Sequence, residues 1–276
     1  MTPARDKNAG GPVLITGCSS GVGHAAAKIF RKAGYETFAT ARDMSALDDL
    51  RALGCRTLAL DVTDEIARRT AVESIEREFG AVGILVNNAG YGQYGPLEEI
   101  SLDALRLQFE TNVFGGLRLS QLALPAMRRA GHGRIVNVSS VAGRVSSIGG
   151  GAYHATKFAI EALTDALRPE VEPFGIDVVN VLPGPIATRF AATLLKQIPD
   201  TGPDSPYVFF KQRLAAYMRD FLNPEKLGVM SAETVARIVF KAATAKHPHT
   251  RYNVGLIAHL GPIGRALTPD RAVDFM

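Results

Sequence analysis

The chain is 276 residues long, 46% of them hydrophobic, with 31 Lys and Arg against 27 Asp and Glu and a formal net charge of +4. This length and composition provide for one large buried core. The charges are spread along the chain rather than gathered in a basic patch, so no nucleic-acid partner is expected.

The N-terminus and the two cysteines indicate in which cellular compartment the chain is expected. Residues 1–11 are polar and lack the apolar core of a signal peptide, so we predict a disordered N-terminal tail there. No apolar run is long enough to cross a bilayer, and no membrane span is expected. Cys18 and Cys55 form no Cys-x-x-Cys and have no nearby histidines at ligand spacing, so neither a metal site nor a disulfide framework is indicated. A reducing, cytoplasmic location is the default for such a chain.

The first predicted element is a strand over Val13–Thr16, which a glycine-rich turn and a helix follow directly. Glycines allow a tight turn and let phosphates approach the backbone, and the positive end of the helix dipole attracts them. We therefore predict that the turn binds the pyrophosphate of a nucleotide; the alternative is a βα turn without a ligand. The residues concerned are Gly17, Ser19, Ser20, Gly21 and Val22.

Strands and helices alternate along the rest of the chain. The further predicted strands are Glu36–Ala41, Thr57–Leu60, Ile84–Asn87, Arg134–Ser139, Asp177–Leu182 and Tyr252–Val254, with amphipathic helical stretches between them. This alternation predicts an α/β fold, a doubly wound parallel sheet of about seven strands with helices on both faces. Ligands of such sheets bind beyond the carboxyl ends of the strands, where Asp61, Asn87, Ser140 and Pro183 fall.

Tyr153 and Lys157 lie one turn apart on a predicted helix, downstream of the strand that ends in Ser139-Ser140. The phenol and the ammonium therefore share one helix face. A positive charge near a phenol lowers its pKa, which makes the group a usable proton donor and acceptor near neutrality. The alternative is a half-buried ring beside a solvated amine.

Six motifs in this order resemble the short-chain dehydrogenase/reductase family, from about Val13 to Gly255. They are Thr16-Gly17-x-x-x-Gly21-x-Gly23, Asn87-Asn88-Ala89-Gly90, Asn112, Ser140, Tyr153-x-x-x-Lys157 and Pro183-Gly184-Pro185-Ile186-Ala187-Thr188. Each is modest alone, but the ordered set is specific, and no catalytic position departs from the family pattern. The resemblance implies one Rossmann-fold domain over residues 12–276 and an NADP-dependent oxidoreductase that interconverts an alcohol and a ketone or aldehyde.

The resemblance also implies roles for individual residues. Tyr153 is the proton donor and acceptor, Lys157 lowers its pKa and holds the nicotinamide ribose, and Ser140 binds the substrate oxygen together with Tyr153. Asn112 would hold a water that relays protons to Lys157; the alternative is an exposed or back-bonded helical asparagine. The remaining implied cofactor contacts, from adenine to nicotinamide, are Asp61, Val62, Asn88, Ala89, Gly90, Pro183, Gly184, Ile186 and Thr188.

The end of the second strand indicates which nicotinamide cofactor fits. An NAD site normally offers a carboxylate here to the ribose 2′-hydroxyl, whereas a 2′-phosphate calls for an arginine. Ala41 occupies the expected acidic position and Arg42 follows, which favours NADP(H) over NAD(H). Alternatively, Arg42 and Asp43 form a surface pair without a ligand.

Residues 189–231 are rich in apolar side chains interrupted by prolines, and we predict that this irregular segment is a substrate-binding lid. The resemblance implies that Tyr91, Tyr94 and the Val141–Ser147 segment form the opposite wall. Such a lid suits a lipophilic alcohol or ketone, and the chain resembles family members that act on hydroxysteroids, retinoids or aliphatic ketones. The alternative is that these side chains pack into the core or a subunit interface.

Two other functions stay open. Reduction of 3-oxoacyl thioesters would need a basic surface for an acidic carrier protein, for which Arg128, Arg129 and Arg144 are candidates. A non-catalytic NADP-binding sensor would be favoured by the loss of a catalytic residue, and none is lost.

Assembly is predicted only by resemblance. Many family members form homodimers or homotetramers through helices that correspond to Leu102–Arg129 and Ala152–Phe174, although core packing explains their apolar residues equally well. The C-terminal extension, residues 256–276, is expected to close over the site or to lie in an interface.

Overall fold

The computed structural model describes residues 11–273. The tail predicted at residues 1–11 lies outside them apart from Gly11, and so do the last three residues of the C-terminal extension.

A parallel sheet of seven strands forms the centre of the molecule. The strands of the described chain are β1 Val13–Ile15, β2 Thr37–Ala41, β3 Arg56–Ala59, β4 Ile84–Asn87, β5 Gly133–Val138, β6 Ile176–Pro183, β7 Ile186–Ala187, β8 Met230–Ser231 and β9 Arg251–Val254. The large sheet has the order β3-β2-β1-β4-β5-β6-β9, and β7 pairs with β8 separately. Every predicted strand end lies within one residue of the observed one, so the predicted parallel α/β sheet is confirmed.

Helices cover both faces of the sheet. They are α1 Gly21–Lys32, α2 Asp48–Ala52, α3 Glu65–Phe79, α4 Leu102–Phe109, α5 Gly115–Ala130, α6 Gly151–Val171, α7 Phe190–Lys196, α8 Val208–Phe221, α9 Ala232–Thr244, α10 Leu256–Leu267 and α11 Asp270–Val273. A π-helical turn, Glu110–Phe114, joins α4 to α5. Over residues 11–273, no helix has the length and apolar character needed to cross a bilayer.

The core consists of two apolar layers, one on each face of the sheet. Alternate residues of β1 show the division, because Val13 and Ile15 pack with α1 and α9, whereas Leu14 packs with α3 and α5. Burial on both faces explains why the strands read as continuous apolar runs. The carboxyl edge of the sheet is thus the place where polar residues from several strands gather.

The segment predicted as an irregular lid is largely helical. Within residues 189–231, α7 and α8 carry the apolar side chains, and the prolines lie outside both helices. Leu194 and Leu214 form a third apolar cluster together with Tyr94 and Tyr153. The expectation of an irregular segment is wrong because the prolines bound the two helices rather than interrupt them.

Candidate active site

A cleft of about 740 Å³ opens at the carboxyl edge of the sheet. Parallel strands bring the residues that follow them to one edge, so motifs far apart in the sequence meet there. All the predicted cofactor-binding residues line this cleft, and so do Ser140, Tyr153 and Lys157. Asn112 is the one predicted site residue that does not line it.

The glycine-rich turn after β1 depends on residues without a side chain. Gly17 and Gly21 have φ values of +72° and +64°, which L-residues with a Cβ rarely adopt. A Cβ on Gly23 would stand 2.4 Å from Nδ2 of Asn88 and 2.6 Å from the carbonyl oxygen of Gly17. These glycines allow α1 to approach the turn closely.

Hydrogen bonds tie this turn to the loop after β4. Asn88 Nδ2 donates to the carbonyl oxygens of Thr16 at 2.8 Å and Gly17 at 3.1 Å. In return, Thr16 Oγ1 accepts from the backbone N–H groups of Asn88 and Ala89, both at 2.9 Å. The side chain of Asn88 therefore supports the turn, and Thr16, which received no role from the sequence, fixes the position of both loops.

The N-terminus of α1 matches the chemistry of a phosphate. Ser20 is its N-cap residue but makes no side-chain capping bond, and the first turn contains no acidic residue. The N–H groups and the positive end of the helix dipole are thus left to an anion. The turn fits the pyrophosphate of a dinucleotide cofactor.

Arg42 stands exposed at the end of β2. Asp43 does not pair with it, because the Asp43 carboxylate accepts hydrogen bonds from the N–H of Ser45 at 2.9 Å and its hydroxyl at 2.7 Å. No residue described in the structure forms a salt bridge with Arg42, so the guanidinium can receive an anionic group. Although burial raises the pKa of the nearby Asp61, hydrogen bonds from Thr63 and the charges of Arg42 and another arginine hold it below its usual range.

Tyr153 and Lys157 occupy the first turns of α6 and are buried, with 8% and 7% of their surfaces exposed. Lys157 Nζ lies 5.7 Å from the Tyr153 ring centroid and donates a hydrogen bond of 2.9 Å to the carbonyl oxygen of Val138. Ser140 begins the 3₁₀ turn after β5, where its hydroxyl accepts from the N–H of Ala142 at 3.1 Å. The strand end and the helix thus bring three reactive side chains together.

Burial dominates the protonation of this pair. It raises the pKa of Tyr153 to about 12, against the opposing effect of the Ser140 hydroxyl. It lowers the pKa of Lys157 to about 8, against the charge of Glu161. The expectation that Lys157 holds the phenol pKa below its ordinary value is therefore wrong for this structure, since the desolvation of the phenol is the larger effect. Tyr153 is a neutral phenol near neutrality, which makes it a proton donor.

Asn112 lies in the π-helical turn and anchors two elements. Its Oδ1 accepts from the N–H of Tyr91 at 3.0 Å, while its Nδ2 donates to the Tyr91 carbonyl at 2.9 Å and to Thr156 Oγ1 at 3.1 Å. It is neither exposed nor back-bonded to its own helix. Together with Lys157 it lines a second, smaller cavity of about 40 Å³ behind the cleft.

A row of asparagines runs beneath α6 at one register of the sheet. Asn87, Asn137 and Asn180 are paired across β4, β5 and β6. Asn87 donates to Asn137 at 2.9 Å, and Asn180 donates to Glu161 Oε1 at 2.7 Å. Arg251 Nε holds the other carboxylate oxygen of Glu161 at 2.8 Å. Apart from Asn87, none of these residues was assigned a role from the sequence. The only sequence signal for the row is that each of these apolar strands contains a single asparagine.

The family model for short chain dehydrogenases matches residues 12–199. The chain belongs to this family. It is 36% identical over 263 residues to the uncharacterized oxidoreductase YbbO of Escherichia coli K12, covering 95% of this chain and 92% of that one. It is 35% identical over 269 residues to the 3-ketodihydrosphingosine reductase of Bacteroides thetaiotaomicron, covering 95% of each chain. It is also 35% identical over 251 residues to human retinol dehydrogenase 8, covering 87% and 80%.

Solved structures of the family share the fold. A short-chain dehydrogenase from Streptomyces avermitilis superposes with a TM-score of 0.80 at 35% identity, covering 93% of both chains. Two others are 25% identical: a serine dehydrogenase complexed with NADP+ (TM-score 0.76, covering 89% and 94%) and a Burkholderia phymatum member in complex with NAD (TM-score 0.78, covering 96% and 95%). The chain is thus a short-chain oxidoreductase whose neighbours bind NADP or NAD.

In this short-chain dehydrogenase, the basic residues considered for a carrier protein do not share one surface. Arg128 and Arg129 lie in the last turn of α5, and β5 begins at Gly133 directly afterwards. They therefore lie at the amino edge of the sheet, opposite the cleft, while Arg144 follows the 3₁₀ turn at the carboxyl edge. The expectation of a basic surface beside the site is therefore wrong for Arg128 and Arg129, and only Arg144 lies at the edge where the cleft opens.

Proposed function

We propose that the protein is an NADP(H)-dependent oxidoreductase that interconverts an alcohol and a ketone or aldehyde on a lipophilic substrate. The observation that carries this proposal is the position of Ser140, Tyr153 and Lys157. They lie where the nucleotide half of the cleft, built from the turns after β1 to β4, meets a half lined by apolar side chains. A sensor without catalysis would not need these three groups together.

Side chains of this protein transfer the proton to and from the substrate oxygen. A bound nicotinamide dinucleotide supplies or accepts the hydride at the carbinol carbon. Tyr153 gives its proton to the carbonyl oxygen in reduction and takes it back in oxidation, while Ser140 donates a hydrogen bond to the same oxygen. Lys157, charged below its pKa of about 8, stabilises the negative charge that remains on Tyr153 after the proton has left.

The small cavity behind the cleft supports a path for replacing that proton. Both Asn112 and Lys157 line it, and its volume of about 40 Å³ exceeds what one water requires. Both N–H groups of the Asn112 amide are used, but its Oδ1 accepts only from Tyr91 and keeps a second lone pair that a water in this cavity could donate to.

Arg42 is the basis for proposing NADP(H) rather than NAD(H). An arginine that is exposed and free of ion pairs with described residues suits a 2′-phosphate. Replacing Arg42→Ala should weaken NADPH binding roughly tenfold to a hundredfold and leave NADH binding nearly unchanged, because a charge-assisted hydrogen bond is lost only with NADPH. Fluorescence titration of both cofactors measures this, with the exposed Arg237→Ala as the control. Equal losses for both cofactors would contradict the assignment.

The walls beyond Tyr153 support a lipophilic substrate. They are formed by Tyr94, Phe190, Met218, Phe221 and Leu222. Two similar proteins are named for lipophilic substrates, 3-ketodihydrosphingosine and retinol. Apolar walls stabilise a buried hydrocarbon but provide few hydrogen-bond partners for the hydroxyl groups of a sugar.

The test of the proposed function is NADPH consumption, with NADH in parallel, against steroid ketones, retinal, aliphatic ketones and a 3-oxoacyl thioester. Turnover confined to one lipophilic class would support the proposal. Preference for the thioester would replace it with thioester reduction, and cofactor binding without turnover on any compound would replace it with a sensor.

Exposed apolar side chains support assembly into a homodimer or homotetramer. Phe114 on the π turn and Phe158 and Leu163 on α6 are 47%, 44% and 37% exposed. By contrast, Leu119 of α5 is buried in the core. Burying such a face against a second copy would remove apolar surface from water. Light scattering after size exclusion should give a dimer or tetramer; a monomer would contradict this.

A further inference from the structure

The substrate half of the cleft has a polar corner beside Tyr153, formed by Tyr94, Ser147 and His154. All three residues line the cleft. The ring centroids of Tyr94 and His154 lie 5.8 Å and 5.9 Å from that of Tyr153. The two rings of the corner are therefore direct neighbours of the Tyr153 ring, whose hydroxyl would meet the reacting oxygen.

The hydrogen bonds of His154 determine which ring nitrogen can accept. Nδ1 lies 2.7 Å from the carbonyl oxygen of Val145, and because a carbonyl only accepts, Nδ1 carries the hydrogen. Burial lowers the pKa of His154, although the bond to Val145 acts in the opposite direction. The ring is therefore neutral near neutral pH, and Nε2 presents a lone pair.

The contacts of this lone pair are long. Ser147 Oγ lies 3.4 Å from Nε2 and Tyr94 Oη lies 3.5 Å away, both at the outer limit of hydrogen bonding. Only 6% of the His154 surface is exposed. A buried acceptor with such weak partners gains from a donor supplied by a ligand.

The charges around the corner favour a neutral donor over an ammonium group. Among the described residues that line the cleft, Asp61 is the only carboxylate, and it lies after β3 with one oxygen held by Thr63. The other charged residues that line the cleft, Arg42, Lys157 and Arg189, are all basic. An ammonium would lack a counter-charge here, whereas a hydroxyl needs none.

We propose that His154 Nε2, with Ser147 and Tyr94, forms a subsite for a hydroxyl group carried by the substrate on a carbon next to its reacting carbonyl or one removed from it. The substrate class is then a lipophilic hydroxy ketone or, in the oxidative direction, the corresponding diol. This inference rests on the proposed function, since Tyr153 marks where the carbonyl lies.

The test compares two ketones of equal chain length, one bearing the hydroxyl and one without it. Their dissociation constants are measured by calorimetry on the enzyme–NADP+ complex, so that no turnover is needed. The unaltered enzyme should bind the hydroxy ketone roughly five- to tenfold more tightly. In His154→Asn the side-chain amide can still donate to Val145 while Nε2 is removed, so this preference should vanish and the affinity for the plain ketone should stay.

Further variants separate a subsite from a general disturbance. Ser147→Ala should reduce the preference by a smaller factor, whereas Ser146→Ala, an exposed neighbour that does not line the cleft, should leave it intact. If His154→Asn does not fold, as judged by circular dichroism, Tyr94→Phe combined with Ser147→Ala replaces it, because the ring is kept and both hydroxyls are lost.

Several outcomes would overturn the subsite. Equal affinity for the two ketones in the unaltered enzyme, or a preference that survives in His154→Asn, would do so. Tighter binding of the matching amino ketone would show that the corner prefers a cation. Failure of the proposed function is recognised separately, as the absence of NADPH consumption with every ketone, while the binding comparison still decides the subsite.

Discussion

In the nucleotide half of the cleft, hydrogen bonds of Thr16 and Asn88 join two short backbone turns that directly follow strands. In the substrate half, by contrast, apolar side chains from separate segments pack around Tyr94 and Tyr153. The first half is defined by backbone geometry, which tolerates only a few residue types. The second is defined by side-chain packing, which many apolar residues satisfy. The two halves should therefore respond differently to substitution.

Tyr153→Phe tests the junction of the two halves and should have the largest effect. Removing the only proton donor proposed for the substrate oxygen should lower kcat roughly 100- to 10,000-fold. NADPH affinity should change little, because the ring and its packing remain. Steady-state kinetics and fluorescence titration measure the two quantities, with Tyr35→Phe, which packs against Phe30 and Phe240, as the control. Retained turnover would remove Tyr153 from the acid–base role.

Gly23→Ala tests the backbone half. Its Cβ would meet Asn88 Nδ2 at 2.4 Å and the Gly17 carbonyl oxygen at 2.6 Å, so the turn must shift. We expect the free energy of unfolding to fall by about 1–3 kcal/mol and NADPH affinity to fall with it, while KM for the ketone at saturating NADPH changes less. Thermal denaturation and NADPH titration measure both. Gly264→Ala, where nothing lies within 4 Å of the added Cβ, should be neutral; equal behaviour of the two variants would contradict the close approach.

The same contrast explains how much could be predicted from the sequence. The order of strands and the nucleotide turn were predictable because apolar runs of strand length end in Gly17, Asn87 and Ser140, residue types that strand ends and turns demand. The pairing of β7 with β8 could not be predicted, since Ile186 and Met230 belong to two-residue strands far apart in the chain and have no periodicity.

The protonation state of Tyr153 also could not be predicted from the sequence. Helical spacing correctly places Lys157 on the same face, but it contains no information on burial, and burial determines the direction in which the phenol pKa moves. Similarly, His154 is adjacent to Tyr153 in the sequence, yet only the fold shows that the Val145 carbonyl binds its Nδ1 and that Nε2 lies near Tyr94 and Ser147.

Glu99→Gln tests the substrate half, where an ion pair attaches α8 to the loop before α4. Lys211 Nζ lies 2.8 Å from Glu99 Oε2, and both side chains are about nine-tenths buried. Thr201 also donates to Glu99, at 2.8 Å. The variant leaves the Lys211 charge without its counter-charge, so we expect a lower melting temperature and a several-fold higher KM for lipophilic ketones, with unchanged NADPH affinity.

A double variant sharpens this test. Glu99→Gln combined with Lys211→Met should lose less stability than Glu99→Gln alone, because no unpaired charge remains. The exposed pair Glu233 and Arg237 on α9 gives the control, since Glu233→Gln should change neither quantity. Weaker NADPH binding in Glu99→Gln would show that the two halves are not independent.

Glu161→Gln should have the smallest effect, and it concerns the boundary between the halves. Burial lowers the pKa of Lys157 to about 8, and the charge of Glu161, one turn further along α6, opposes that shift. Removing this charge lowers the Lys157 pKa further, so Lys157 loses its proton at a lower pH. If charged Lys157 supports proton transfer from Tyr153, kcat/KM for ketone reduction declines as pH rises through the Lys157 pKa. The alkaline limb of that profile should therefore move to lower pH, by less than about one unit, because the Glu161 charge is a smaller effect than burial.

Asp165→Asn is the matched control on the same helix. Asp165 also contacts Arg251 but does not act on Lys157, so the alkaline limb of this variant should stay in place. An unmoved limb in Glu161→Gln, with the fold intact, would mean that Lys157 does not govern the alkaline decline.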